Sequence, residues 1–139
     1  MSETKPLLPT TGVNGLTAAE AAAERKKFPI VTGVLDYFPS ALLEVAKVSY
    51  VGNQQHNPGQ PLHWARGKSM DQEDTTVRHL MERTVSEDGN QTFTLTKDSD
   101  GTYHMAKACW RMLAILQVEL EKEGAPIARG TRLPEEKKS

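Results

Sequence analysis

Residues 102–123, TYHMAKACWRMLAILQVELEKE, are the longest uninterrupted periodic segment of the chain. Met105, Ala108, Cys109, Met112, Ile115, Leu116 and Leu120 recur at helical spacing and line one broad face. An amphipathic helix of this kind gains its stability from packing, so the rest of the chain must supply surfaces to cover it. Two further segments qualify. In residues 36–52, Leu42, Val45, Ala46, Ser49 and Val51 give a rougher stripe, with Asp36 or Ser40 as cap, Pro39 in the first turn and Gly52 as the stop. In residues 69–84, Ser69 with Gln72 reads as a capping box ahead of an apolar seam of Met70, Val77, Leu80 and Met81. Thr17 with Glu20 opens a fourth helix over about 18–26, Ala-rich and almost without an apolar stripe. Residues 85–101, with Asp88-Gly89 and the Thr92–Leu95 run, predict a short β-hairpin or ordered loop.

The expected class is therefore mostly α: a small helical domain of three core helices, an accessory N-terminal helix and a short β-hairpin. A mobile arm and the Ala-rich helix occupy 1–27, one helical domain 28–124, and a flexible charged tail 125–139. With 139 residues there is room for one modest core. Helices this thinly apolar predict completion by oligomerisation, as a homodimer or homotetramer. Seventeen Lys and Arg against eighteen Asp and Glu leave a net charge of −1, which argues against general nucleic-acid or membrane binding and makes any basic site local. Cys109 is the single cysteine, so no intrachain disulfide can form, and its place on the apolar face predicts a buried structural thiol. No stretch reaches the roughly 20 apolar residues of a membrane span, and MSETKPLLPT does not read as a signal peptide; a cytoplasmic location is expected.

Several short motifs fail on inspection. GKS at 67–69 would need glycine at position 62, which is Leu62, to make a phosphate loop. KDSDG lacks the acids of a calcium loop at Thr96 and Lys107. The histidines lack zinc spacing with Cys109, and no Ser/His/Asp triad can be argued from order alone.

A distributed pattern survives. His104, Lys107 and Arg111 share one face of the long helix, opposite its apolar side. Arg78, His79 and Glu82 lie within a turn of each other, as do Glu44 and Lys47. The Gly/Pro-punctuated loop GNQQHNPGQPLHWARGKS adds His56, His63, Trp64, Arg66 and Lys68. Converging polar faces would make a basic pocket in which Arg and Lys hold phosphate oxygens and Trp64 stacks on a base. Glu44, Glu82, Asp98 and Asp100 are candidate Mg²⁺ ligands, with Glu82, Asp98 and Asp100 the acids nearest to catalysis. Asp71, Glu73 and Asp74 are explained by a helix N-terminus alone.

VLDYFPSALLEVAKVSYVGNQQHNPG, then LHW, RHL and DGTYHMAK, resemble in that order the phage- and prophage-encoded family of the dATP/dGTP diphosphohydrolase N-terminal domain. The chain is similar, more distantly, to the all-α nucleotide pyrophosphohydrolases of the MazG and HisE type. The likeness covers about residues 28–120, and its most specific pieces are Arg78-His79 and the Asp100-Gly101-x-x-His104 element. It implies a helical oligomer in the cytoplasm, the host's if phage-encoded, with a nucleotide between helices and Mg²⁺ on carboxylates. It further implies cleavage of a deoxynucleoside triphosphate to monophosphate and pyrophosphate, with Asp98 and Asp100 on the metal side and Arg78, His79 and His104 on the phosphate side. A site rich in cations and poor in acids also suits a non-catalytic protein that sequesters a nucleotide or cyclic-nucleotide signal. A purely structural oligomer is the third reading.

Overall fold

The computed structural model describes residues 15–83 and 97–134. α1 (Ala18–Lys26) begins where the sequence places it: Thr17 Oγ1 accepts a hydrogen bond from the Glu20 amide at 3.1 Å. A single π-helical turn follows at Val31–Leu35, closed by the Asp36 amide on the Val31 carbonyl at 2.8 Å. The chain then bends by 81° between Ala18–Leu35 and Pro39–His56. α2 (Pro39–His56) has Pro39 in its first turn, where a missing amide hydrogen costs nothing, and Phe38 rather than Asp36 or Ser40 as its cap.

Gly52 does not stop α2. The helix runs one turn further and ends where the Asn57 amide bonds the Asn53 carbonyl, with Gly59 (φ +77°) making the left-handed turn beyond it. Asn53 Nδ2 holds the reversal by donating to the Gln60 carbonyl at 2.9 Å. α3 (Gln72–Glu82) starts without the Ser69–Gln72 box, its N-cap being Asp71. Arg111 of α4 (His104–Lys122) engages both side chains instead, donating to Ser69 Oγ at 2.8 Å and Gln72 Oε1 at 2.9 Å. α4 is the central element and packs against both α2 and α3.

Apart from Ala108, the buried residues differ from those read from hydropathy. On α3, Thr75, Thr76 and His79 are buried, while Met70, ahead of the helix, and Val77, Leu80 and Met81 are exposed. On α4 the buried residues are His104, Ala106, Ala108 and Ala114, whereas Met112, Leu113 and Leu116 face outward. Cys109 lies with them and is exposed, not a buried thiol. Among the described residues no large side chain is fully buried, and the apolar core consists of alanines. Small residues let α3 and α4 approach closely enough for polar side chains to meet between them.

The predicted hairpin falls on residues that, apart from 97–101, are outside the described ones; Lys97 forms an isolated antiparallel bridge with Tyr103. The only strands among the described residues are elsewhere. β1 (Trp64–Ala65), inside the cationic loop, pairs in parallel with β2 (Thr131–Arg132), which belongs to the segment expected to be a flexible tail. The segment returns because Glu121, near the end of α4, collects donors. Arg66 Nη1 and Nη2 bind its two carboxylate oxygens at 2.9 Å each, Ala128 donates its amide at 3.0 Å and Gln117 its amide nitrogen at 2.8 Å. Arg66 also lies over the Trp64 ring at 3.7 Å, and Trp64 meets Trp110 edge-to-face at 5.6 Å. Among the described residues no single helix is long and apolar enough to cross a membrane.

The Arg66 hydrogen bonds are the first cause of the low pKa of Glu121, held at about 2 against an ordinary 4.5. The carboxylate therefore contributes stability that is complete above pH 4.5 and is lost as pH falls toward 2. Arg66→Ala should cost about 3 kcal/mol in urea unfolding at pH 7, as expected for breaking a largely buried pair from one side. It should also flatten the stability profile in that acid window; an unchanged profile would contradict the anchoring role.

Candidate functional site

His79 ends a buried face of α3, and His104 opens α4, so the packing of the two helices brings their rings together. Each side chain is 7% exposed. The Nδ1 atoms lie 3.0 Å apart, and the ring centroids 5.3 Å apart with a 39° tilt. At that distance one ring donates a proton and the other accepts it, a contact two neutral imidazoles can make and two imidazoliums cannot. Burial, then the charge of Lys107, holds the His79 pKa below its ordinary 6.5 against the opposing pull of Glu82.

Two carboxylates complete the group. Glu82, three residues after His79 and so on the same face, places Oε2 3.6 Å from His79 Nδ1 and 3.5 Å from His104 Nδ1. Asp98 arrives from the turn before α4. Its amide bonds the Thr102 carbonyl at 2.8 Å, and Gly101 adopts φ +84°, which only glycine takes without strain. One ligand-capable atom from each of His79, Glu82, Asp98 and His104 falls within 4.8 Å of all the others, a donor set that could hold a metal ion.

Lys107 fixes the acids. Its Nζ donates to Asp98 Oδ2 and to Asp100 Oδ2, 2.7 Å each. Burial favours the neutral form of all three groups, but these hydrogen bonds outweigh it: both aspartates are lowered, Asp100 to about 2, and Lys107 is raised. Asp100 Oδ1 is further engaged by the Thr102 amide at 3.0 Å and hydroxyl at 2.6 Å. Asp100 thus faces Lys107 and the turn, outside the four-residue group.

An open cleft of about 760 Å³ lies over this cluster. Glu82, Asp98 and His104 line it together with the cations Arg78 and Lys97 and the apolar Val77 and Met81. Val77 and Met81, a core seam by hydropathy, line the cleft instead, and no pattern in the sequence points to Lys97. The signal available was position: Val77, Arg78, Met81 and Glu82 are spaced i, i+1, i+4 and i+5, one helical face.

The other expected residues do not join this cluster. Glu44 pairs with Lys47 at 2.8 Å on an exposed flank of α2. Arg111 holds the start of α3, Lys68 donates to Asn57 Oδ1 at 3.0 Å, and His63 Nδ1 contacts the Pro61 carbonyl at 2.8 Å. His56 is exposed at the end of α2. Arg66 is bound to Glu121, which at ~1.5 Å of rise per residue stands ~25 Å along α4 from His104. Trp64 goes with it, lying under Arg66 and edge-on to Trp110.

Lys107→Met should raise the Asp100 carboxyl from about 2 toward its ordinary 3.8, since burial is then opposed by the Thr102 hydrogen bonds alone. Carboxylate NMR titration reads this directly; an Asp100 still near 2 would mean that the Thr102 contacts suffice. Because its folded value is depressed, the Asp100 contribution to stability is full above pH 3.8 and fades toward pH 2.

No curated protein and no solved structure matches the chain. A family model described as dATP/dGTP diphosphohydrolase, N-terminal, matches residues 17–126, from the cap of α1 to beyond the end of α4 and across every residue of the His–carboxylate cluster. With most of its length under that match, the chain belongs to the dATP/dGTP diphosphohydrolase N-terminal family.

Proposed function

We propose that the protein is a metal-dependent nucleotide diphosphohydrolase that cleaves a deoxynucleoside triphosphate to the monophosphate and pyrophosphate. The observation that carries this reading is a cleft with cations on its wall and a His–carboxylate group beneath, inside a chain of this family. The residues divide the work. Val77 and Met81 offer apolar surface to the base, and Arg78 and Lys97 offer positive charge to the phosphates. The contact of Arg78 with Glu82 is long, 3.7 Å, and exposed, so a phosphate can draw the guanidinium away at little cost.

That exchange leaves Glu82 without its arginine and ready to accept a proton from the attacking water. Asp98, kept ionised by its hydrogen bond from Lys107, serves to orient the water. His79, Glu82, Asp98 and His104 would hold a divalent ion, which would neutralise phosphate charge when bound, with Mg²⁺ accompanying the triphosphate. Water oxygen joins the α-phosphorus, the bond from that phosphorus to the bridging oxygen breaks, and pyrophosphate leaves.

The exposed apolar sides of α3 and α4 belong to the same reading. A chain of 15.4 kDa whose buried apolar residues, among the described ones, are all alanines leaves its large ones for a second copy. Light scattering after gel filtration should give two or four times that mass, and Leu116→Asp should lower it; a wild-type monomer at micromolar concentration would contradict self-association.

Incubation with dATP or dGTP and divalent ions, followed by chromatography, should yield monophosphate and pyrophosphate in equal amounts. Glu82→Gln should lower kcat by about 10²–10⁴-fold with nucleotide binding retained. Arg78→Ala should raise KM by about tenfold or more, the loss of a charge-assisted contact. Intact nucleotide recovered from tight complexes in every divalent ion would replace hydrolysis with sequestration.

A further inference from the structure

We infer that the ion held by this protein is a first-row transition metal of the Mn²⁺, Co²⁺ or Zn²⁺ class, bound by both buried imidazoles, and not Mg²⁺. The inference rests on the reading of the cluster as a metal-holding site and goes beyond it by assigning the donor atoms and the kind of ion. Three atoms define the centre. His79 Nδ1, His104 Nδ1 and Glu82 Oε2 form a triangle with sides of 3.0, 3.6 and 3.5 Å. The circle through them has a radius of about 2.0 Å, equal to the usual metal–imidazole bond length of about 2.0–2.1 Å. An ion resting on that triangle reaches all three donors at bonding distance without movement of the backbone.

Asp98 is the fourth donor, its ligand atom within 4.8 Å of the other three. Lys107 donates to Oδ2 of Asp98 and the Ser99 amide donates to Oδ1, each at 2.7 Å, and each oxygen keeps a lone pair for an ion.

The donor set decides the class. Mg²⁺ is hard, takes oxygen ligands, keeps several waters and dehydrates reluctantly. Imidazole nitrogen suits Mn²⁺, Co²⁺ and Zn²⁺ far better, with affinity rising along that series to the later metals. Two of the four donors here are nitrogens, each on a side chain 93% buried by the 7% exposure given above, where few waters can remain. Mg²⁺ is left to travel with the triphosphate in the open cleft.

The test uses the full chain stripped with chelator and then titrated. Co²⁺ should bind one per chain with a visible absorption band of nitrogen and oxygen ligation, Zn²⁺ should displace it at equal concentration, and Mg²⁺ should fail to displace it even at hundredfold excess. Glu82→Gln, a change at a half-exposed position that spares the fold, should weaken Co²⁺ by at least about tenfold. His79→Gln and His104→Gln, checked for folding by circular dichroism, should abolish the band. Displacement by Mg²⁺ at equal concentration, or unaltered Co²⁺ binding in folded Glu82→Gln and His79→Gln, would overturn the assignment. The two readings separate cleanly: one-to-one Co²⁺ binding without hydrolysis of dATP or dGTP keeps this inference and removes the diphosphohydrolase. Hydrolysis with Mg²⁺ alone and no Co²⁺ bound here does the opposite.

Discussion

The 3.0 Å contact between the Nδ1 atoms of His79 and His104 is the constraint around which the molecule is arranged. A buried polar group without a partner costs about 1–3 kcal/mol, so two imidazoles can share the α3–α4 seam only if they satisfy each other. Their meeting requires the helices to be close, and closeness requires small neighbours, which Thr75, Thr76, Ala106 and Ala108 provide. It also requires the entry to α4 to be fixed. The Asp98–Thr102 turn does this, with Gly101 in the left-handed region and Lys107 clamping both aspartates. The same clamp keeps the acids charged beside His79, whose pKa burial holds below its ordinary value.

A seam filled by imidazoles and alanines displaces the large apolar side chains outward. This is why hydropathy located the helices but not their inward faces. The long helix, the Thr17 cap and the shared face of His104 and Lys107 could be read from the spacing of residues. The fate of Met112, Leu116 and Cys109 could not, because periodicity identifies a stripe without saying whether the same chain or another one covers it. The α3 cap failed for a similar reason. Ser69 and Gln72 have the right spacing, but Arg111, 39 residues beyond Gln72 in the chain, is the better partner for both.

The cationic loop shows how composition can mislead about a site. His56, His63, Arg66 and Lys68 crowd one stretch of sequence, and each described contact of the last three is made within the chain. Arg66 and Glu121 are 55 positions apart, and their bidentate pair ties β1 and β2 to the far end of α4 from the histidines. Long-range pairs of this sort leave no local signature. The cleft is instead walled by Arg78, already marked by its place beside His79 and Glu82, and by Lys97, an isolated cation that a search for charge clusters passes over.

The account stands or falls on whether the four donors converge on one ion. Crystals grown with Mn²⁺ or Zn²⁺ and measured at the absorption edge of the metal locate the ion without any assumption about turnover. The expected anomalous map has one strong peak per chain, bonded to Nδ1 of His79 and of His104 with Glu82 and Asp98 beside it. A map whose peaks lie elsewhere, with the two rings still hydrogen-bonded to each other, would contradict it.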